Sequence, residues 1–146
     1  MRYLFAPLCL FCVALSANAI PAPAEKKSAA DNLDGEWVCT AVDWGGDVFR
    51  GPDLVGKLKF TIAGNKMAMD GPDGKKEAKV TFDFTKRPGW LDFVMESDPK
   101  RGERALGLFV RDGDTLKICL EKGTGGPRPT ELKSAGSFVL TLKLRR

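Results

Sequence analysis

Histidine is absent from the whole 146-residue chain, and that one absence removes a wide range of chemistry. Without imidazole there is no Ser-His-Asp or Cys-His nucleophile, no histidine proton shuttle and no imidazole metal ligand. Tyrosine is nearly absent too: the single one, Tyr3, lies in an N-terminal stretch that reads as a removable leader. Cysteine is scarce. Of four, Cys9 and Cys12 belong to that same stretch, and the remaining pair, Cys39 and Cys119, is too few thiols for a closed structural zinc site. The chain also lacks a block of charge of one sign. Its 23 basic and 19 acidic residues give a net +4, or +3 once Arg2 leaves with the leader, and they are interspersed. Such a surface is a solvated mixture, not a nucleic-acid footprint. No helical hydrophobic period occurs outside the leader.

The polar residues that are present form no recognisable chemical motif. Asp112 with Asp114, and Asp70 with Asp73, straddle glycine in turn sequences, where Asp bonds its own backbone. A calcium loop would need oxygen ligands at regular spacing and a terminal acidic ligand, which Asp70, Asp73 and Glu77 match poorly. Ser97 and Ser134 lie in no nucleophile motif. The chain is therefore expected to be non-catalytic, with no cofactor and no metal.

The N-terminus reads as an export signal. Arg2 supplies the positive start, Leu4 to Leu15 is an apolar run too short to span a bilayer comfortably, and Ser16-Ala17-Asn18-Ala19 places small residues at a cleavage site. Residues 1–19 are thus a signal peptide, with cleavage after Ala24 as the alternative. Cys9 follows Leu8 and Cys12 follows Phe11, so neither has the small preceding residue that lipid attachment needs. Residues 20–31, rich in Ala, Pro and Lys, read as a disordered linker. The expected mature protein is a periplasmic or extracellular monomer with no transmembrane span.

Residues 32–146 read as one domain, whose 43% apolar fraction across the chain is enough for a core. It is a succession of short amphipathic strands at a spacing of about ten residues. Glu36 to Asp43 has Trp37, Cys39 and Ala41 on one face, and Asp43-Trp44-Gly45-Gly46-Asp47 breaks it. Lys57 to Ile62, Lys66 to Asp70, Lys79 to Thr85 and Trp90 to Glu96 follow. Leu106, Leu108 and Val110 alternate as the apolar face of the next strand, Arg111-Asp112-Gly113-Asp114 turns it, and Leu116, Ile118 and Leu120 alternate on its partner. Phe138 to Leu144 is last. The class is all-β: an antiparallel up-and-down barrel of about eight strands is favoured over a sandwich, because closing a meander removes both exposed edges. Cys39 falls on the Trp37 face, whereas Cys119 falls on the Lys117 face opposite Leu116 and Ile118. A bridge between them is therefore not expected.

Leu33-Asp34-Gly35-Glu36-Trp37 resembles the Gly-x-Trp opening of lipocalin-like barrels. Gly113-Asp114-Thr115-Leu116-Lys117-Ile118-Cys119, with Arg128-Pro129-Thr130-Glu131, resembles a planctomycete lipocalin-like domain family of unknown function. Leu54-Val55-Gly56-Lys57-Leu58, Pro88 to Asp92 and Gly107-Leu108-Phe109 fit the same pattern, so the likeness spans roughly Leu33 to Arg145. It implies a calycin-type barrel and no established activity. It also implies that a basic residue near the end of the last strand, Arg145 or less favourably Arg146, lies over the Trp37 indole and closes the barrel.

Three functions stay open: a structural or interaction module with a filled barrel, a binding protein for a small apolar or amphipathic molecule, and an unrecognised enzyme. Barrel volume favours the first, since eight strands leave a bore just wide enough for side chains and the inward set includes Trp37, Phe60, Phe82, Phe84, Phe93 and Phe138. Strands of five to seven residues would also make the barrel shallow. The corresponding partner is an envelope protein. The ligand alternative rests on Met67, Met69 and Met95, which adapt their shape and can line a pocket. Arg128, held between Pro127 and Pro129, either presents its guanidinium to a ligand at the barrel mouth or, as favoured here, pairs with Asp114, Asp92 or Glu131 to fasten its loop.

Overall fold

The computed structural model describes residues 31–50, 55–121, 123 and 125–146. The expected signal peptide, and the linker up to residue 30, lie outside them. Nine strands follow the chain: β1 (Gly35–Trp44), β2 (Asp47–Phe49), β3 (Lys59–Ala63), β4 (Lys66–Gly71), β5 (Gly74–Asp83), β6 (Gly89–Met95), β7 (Arg104–Asp112), β8 (Thr115–Glu121) and β9 (Ser137–Leu144). Every pairing is antiparallel and sequential from β3 to β9, and β9 returns to pair with β1. The fold is therefore a closed antiparallel barrel of eight strands. β2 stands outside the count, an addition paired only with the end of β1.

One face of each strand fills the barrel and the other meets solvent, as period-2 patterning requires. Lys59, Thr61 and Ala63 of β3 alternate as exposed positions with buried Phe60 and Ile62. β8 turns Leu116 and Ile118 inward, and Leu142 lies opposite Leu116 on β9. Two strands depart from the expected faces. In β1 the register against β9 slips between Cys39 and Ala41, so Thr40 is an extra residue whose hydroxyl donates to the Thr141 carbonyl at 3.1 Å. A bulge of one residue flips the faces beyond it. Trp37 and Cys39 point inward, then Val42 and Trp44 turn inward in place of the expected Ala41, pairing with Leu140 and Phe138.

In β7 the inward residues are Ala105, Gly107 and Phe109, not the alternating Leu106, Leu108 and Val110. Gly107 faces Leu120, and a Cβ there would stand 2.5 Å from the Cys119 carbonyl oxygen. A Cβ on Gly89 would likewise run into the Phe109 ring. Gly89 makes room for that ring inside the barrel, and Gly107 makes room for the Leu120 side chain and the β8 backbone. Leu108 is apolar on the outer face because the segment before β9 folds over it, forming a second small core of Leu108, Cys119 and Val139 with Leu132 against it.

Two strands run longer than expected. β1 and β5 have ten residues each, about 33 Å at roughly 3.3 Å per residue, so the barrel is deep. Among the described residues, no helix is long and apolar enough to cross a membrane.

Cys39 and Cys119 are both buried free thiols, the first inside the barrel and the second outside it under the covering segment. Burial holds the Cys39 thiol up from the ordinary 9.0 to about 11, against a smaller opposing backbone hydrogen bond at Ala41, and burial also raises Cys119. Between pH 9 and 11 the unfolded chain gives up the Cys39 proton and the folded chain keeps it, so stability falls as pH rises through that window. Urea unfolding should show the fall to be about 1–2 kcal/mol larger in the parent chain than in Cys39→Ala. Equal slopes in the two proteins would contradict this assignment.

Candidate functional site

The two ends of the barrel are built differently. At the end where β1 begins, the bore is plugged. Trp37 is fully buried and its indole N–H donates to the Leu33 carbonyl at 2.9 Å, which pulls Leu33 in as a lid. Phe109 takes the edges of Phe82 and Phe84 at centroid distances of 5.2 and 5.1 Å, a T-shaped arrangement that suits the ring quadrupoles. Arg111 lies over the Trp37 ring at 5.7 Å, donates from Nε to the Gly113 carbonyl at 2.9 Å and donates to the Asn32 carbonyl. It ties the chain's entry segment across the plugged end.

The cation over Trp37 is thus Arg111 and not Arg145. Strand parity is the reason: Trp37 is opposite Leu144, so Arg145 belongs to the outer face with Glu36. There its backbone N–H donates to the Glu36 carbonyl at 2.8 Å and its guanidinium is 3.9 Å from the Glu36 carboxylate, in solvent. Arg146 is also outside, 2.8 Å from Asp114.

At the opposite end, where β1 meets β2, the bore is open. A cavity of about 540 Å³ enters it, walled by Met67, Met69, Met95, Phe93, Leu140 and their neighbours. The sequence-derived methionines therefore come together, all three on one wall formed by β4 and β6. Trp44 stands at the mouth, stacked on Phe138 with centroids 5.6 Å apart, and Lys100, Glu103 and Arg104 form a charged rim. Lys100 and Glu103 are paired at 3.7 Å. Glu121, buried at the end of β8, accepts the Leu106 N–H at 3.4 Å where the β7–β8 ladder ends. Its carboxylate also lies against Gly126, where a Cβ would force it to shift. The expectation of a largely filled barrel holds for one half only.

Arg128 lies away from this mouth, against the outer wall. One guanidinium nitrogen donates to the Leu91 and Gly107 carbonyls at 2.9 and 2.6 Å, the other to Asp92, and the group covers the Trp90 ring at 4.6 Å. This guanidinium is a clamp, one of the two roles its sequence setting allowed, and Asp92 is the partner. A second cavity of about 520 Å³ lies along the same loop, bordered by Arg128, Glu131 and Lys133. Lys133 there is paired with Glu131 at 2.5 Å, which holds its ammonium pKa up. Among the described residues no three Cys, Asp or Glu side chains gather as a metal cluster.

Sequence reasoning missed Trp44, read as a strand breaker, and Arg111, read as a turn residue. The signal for both was face assignment, obscured by the Thr40 bulge and by the apolar outer face of β7.

No family model matches the chain, and no curated protein matches it. Of solved structures, the chain is similar to a DUF4909 family protein from Staphylococcus aureus. The two are 10% identical, the similarity covers 77% of this chain and 96% of that one, and the TM-score is 0.45.

Trp37→Ala should unfold or nearly unfold the domain, since truncating a large buried aromatic costs about 3–5 kcal/mol. In double-mutant cycles built on Trp37→Leu, Arg111→Ala should couple by about 0.5–2 kcal/mol and Arg145→Ala should not couple. Coupling to Arg145 alone would contradict the observed closure.

Proposed function

We propose that this is an exported, monomeric, lipocalin-like binding domain that holds a small apolar or amphipathic molecule in the open half of its barrel. The observation that carries this reading is the cavity of about 540 Å³. Its volume falls within the roughly 300–1,000 Å³ of ordinary ligand pockets, and its wall is apolar with charge confined to the rim. Three methionines in that wall can adapt to ligands of differing shape. A filled barrel acting only through its surface would have no use for this space. Export is supported by the leader pattern, and a non-catalytic role by the lack of histidine and of any nucleophile motif. The lipocalin-like resemblance agrees with this use of the bore, as an analogy of fold.

Ala105 lines the cavity beside Phe93 on the neighbouring strand, so a larger side chain there takes up cavity volume. A fluorescent fatty-acid probe should bind the mature protein with blue-shifted emission. Ala105→Phe should weaken that binding at least about tenfold, a loss of about 1.4 kcal/mol, with the unfolding midpoint little changed. Failure of a panel of apolar probes to bind the parent protein would sink the ligand reading and return the filled-barrel module.

A further inference from the structure

Five large apolar side chains stand well exposed among the described residues, and three of them, Trp44, Val48 and Phe49, sit on the β1–β2 hairpin. The other two, Trp90 and Val110, lie apart on the wall, and Trp90 carries Arg128 and Lys86 over its ring. Trp44, Val48 and Phe49 are 52%, 49% and 45% exposed, and all of β2 is exposed with them. The hairpin turns at Gly45-Gly46, whose φ angles of 65° and 98° suit a tight two-residue connection. Phe49 pairs with Val42 and so shares the inward-turned face of β1, beside Trp44. Trp44 itself lines the cavity and stacks on Phe138. Val48 pairs with Asp43 on the opposite face and Asp47 pairs with Trp44, so one face of the hairpin carries Trp44 and Phe49 toward the bore and the other carries Val48.

The chemistry of this rim fits one kind of partner. Indole and phenyl rings settle at a membrane interface, where the apolar body enters the acyl boundary and the indole N–H stays hydrated. Arg50 follows β2 directly and Arg104 stands at the cavity mouth, long cations able to reach lipid phosphates while their stems cover apolar surface, beside Lys100, which is paired with Glu103. The hairpin is a narrow two-stranded tip with three separate apolar side chains, which suits insertion among lipids better than a complementary protein groove. We propose that the β1–β2 hairpin docks the open mouth of the barrel on a lipid surface, from which the cavity is loaded. This rests on the cavity reading above. A molecule apolar enough to enter that bore is dissolved mostly in lipid, and a mouth pressed on the bilayer spares it the transfer through water.

The test uses the mature chain and phosphatidylcholine vesicles, with and without phosphatidylglycerol. The protein should float with both, more strongly with the anionic lipid. In Trp90→Phe, where emission comes from Trp44 and the buried Trp37, brominated phosphatidylcholine should quench the exposed component. Val48→Ser/Phe49→Ser alters neither a cavity wall nor the plug, so probe uptake from solution should be unchanged. The same variant should bind vesicles at least about tenfold more weakly and take up probe from donor vesicles correspondingly more slowly. A parent protein that takes up probe yet neither floats nor is quenched overturns the docking and leaves the cavity reading intact. A dimer that Val48→Ser/Phe49→Ser dissolves, with no vesicle binding, overturns it in favour of a second copy. A protein that binds vesicles but never takes up probe overturns the cavity reading and the loading step with it.

Discussion

Backbone pairing between β1 and β9 is the constraint from which the other features follow. It joins the first long strand to the last, leaves the eight barrel strands without a free edge between them, and divides every side chain between a bore and an outer wall. Because β1 must serve β9 along one side and both β3 and β2 along the other, its path bends, and the extra residue Thr40 absorbs the bend. That single bulge decides what the two ends are. Before it, Trp37 and Cys39 fill the bore; beyond it, Val42 and Trp44 face inward, and Trp44 becomes the half-exposed side wall of a mouth.

The two halves divide stability and function between them. Trp37, Leu33, the Phe82, Phe84 and Phe109 cluster and Arg111 close one end, and each polar group there has a partner: the indole donates to Leu33, and Arg111 to Asn32 and Gly113. The outer wall is fastened by a second device, Arg128, whose guanidinium bonds two facing strand carbonyls and Asp92 while lying on Trp90. A largely buried guanidinium so engaged is costly to remove, because two carbonyls and a carboxylate would lose their donor together. With one end plugged and the wall clamped, the fold can leave the other end hollow. The binding proposal and the docking proposal both draw on that hollow end.

Much of the architecture is legible in the amino-acid order because period-2 alternation is strong in β3, β8 and β9, where Phe60, Ile62, Leu116, Ile118 and Leu142 mark the inside without ambiguity. Parity alone separated Cys39 from Cys119. Illegible were features that only the assembled sheet creates. The Thr40 bulge has no local signature, so Ala41 was placed inward in place of Val42. The outer core beneath the segment before β9 made Leu108 look like an inward residue, and that hid Phe109. The same shift of one residue hid Arg111, while the resemblance to lipocalin-like barrels had assigned Arg145 to the Trp37 indole. Strand length mattered as well. Lys75 to Ala78 looked like connection but extends β5, and the added depth gives the barrel room for both a plug and a cavity.

The claim on which most depends is that the bore beyond Phe93 is empty and apolar in the folded protein. Crystals of the mature chain pressurised with xenon test this without any choice of ligand, because xenon enters apolar voids and leaves packed cores alone. The account predicts xenon density against Met69, Met95 and Leu140, with none beside Trp37 at the plugged end. Side chains filling that space, or a bore without xenon at full pressure, would contradict it.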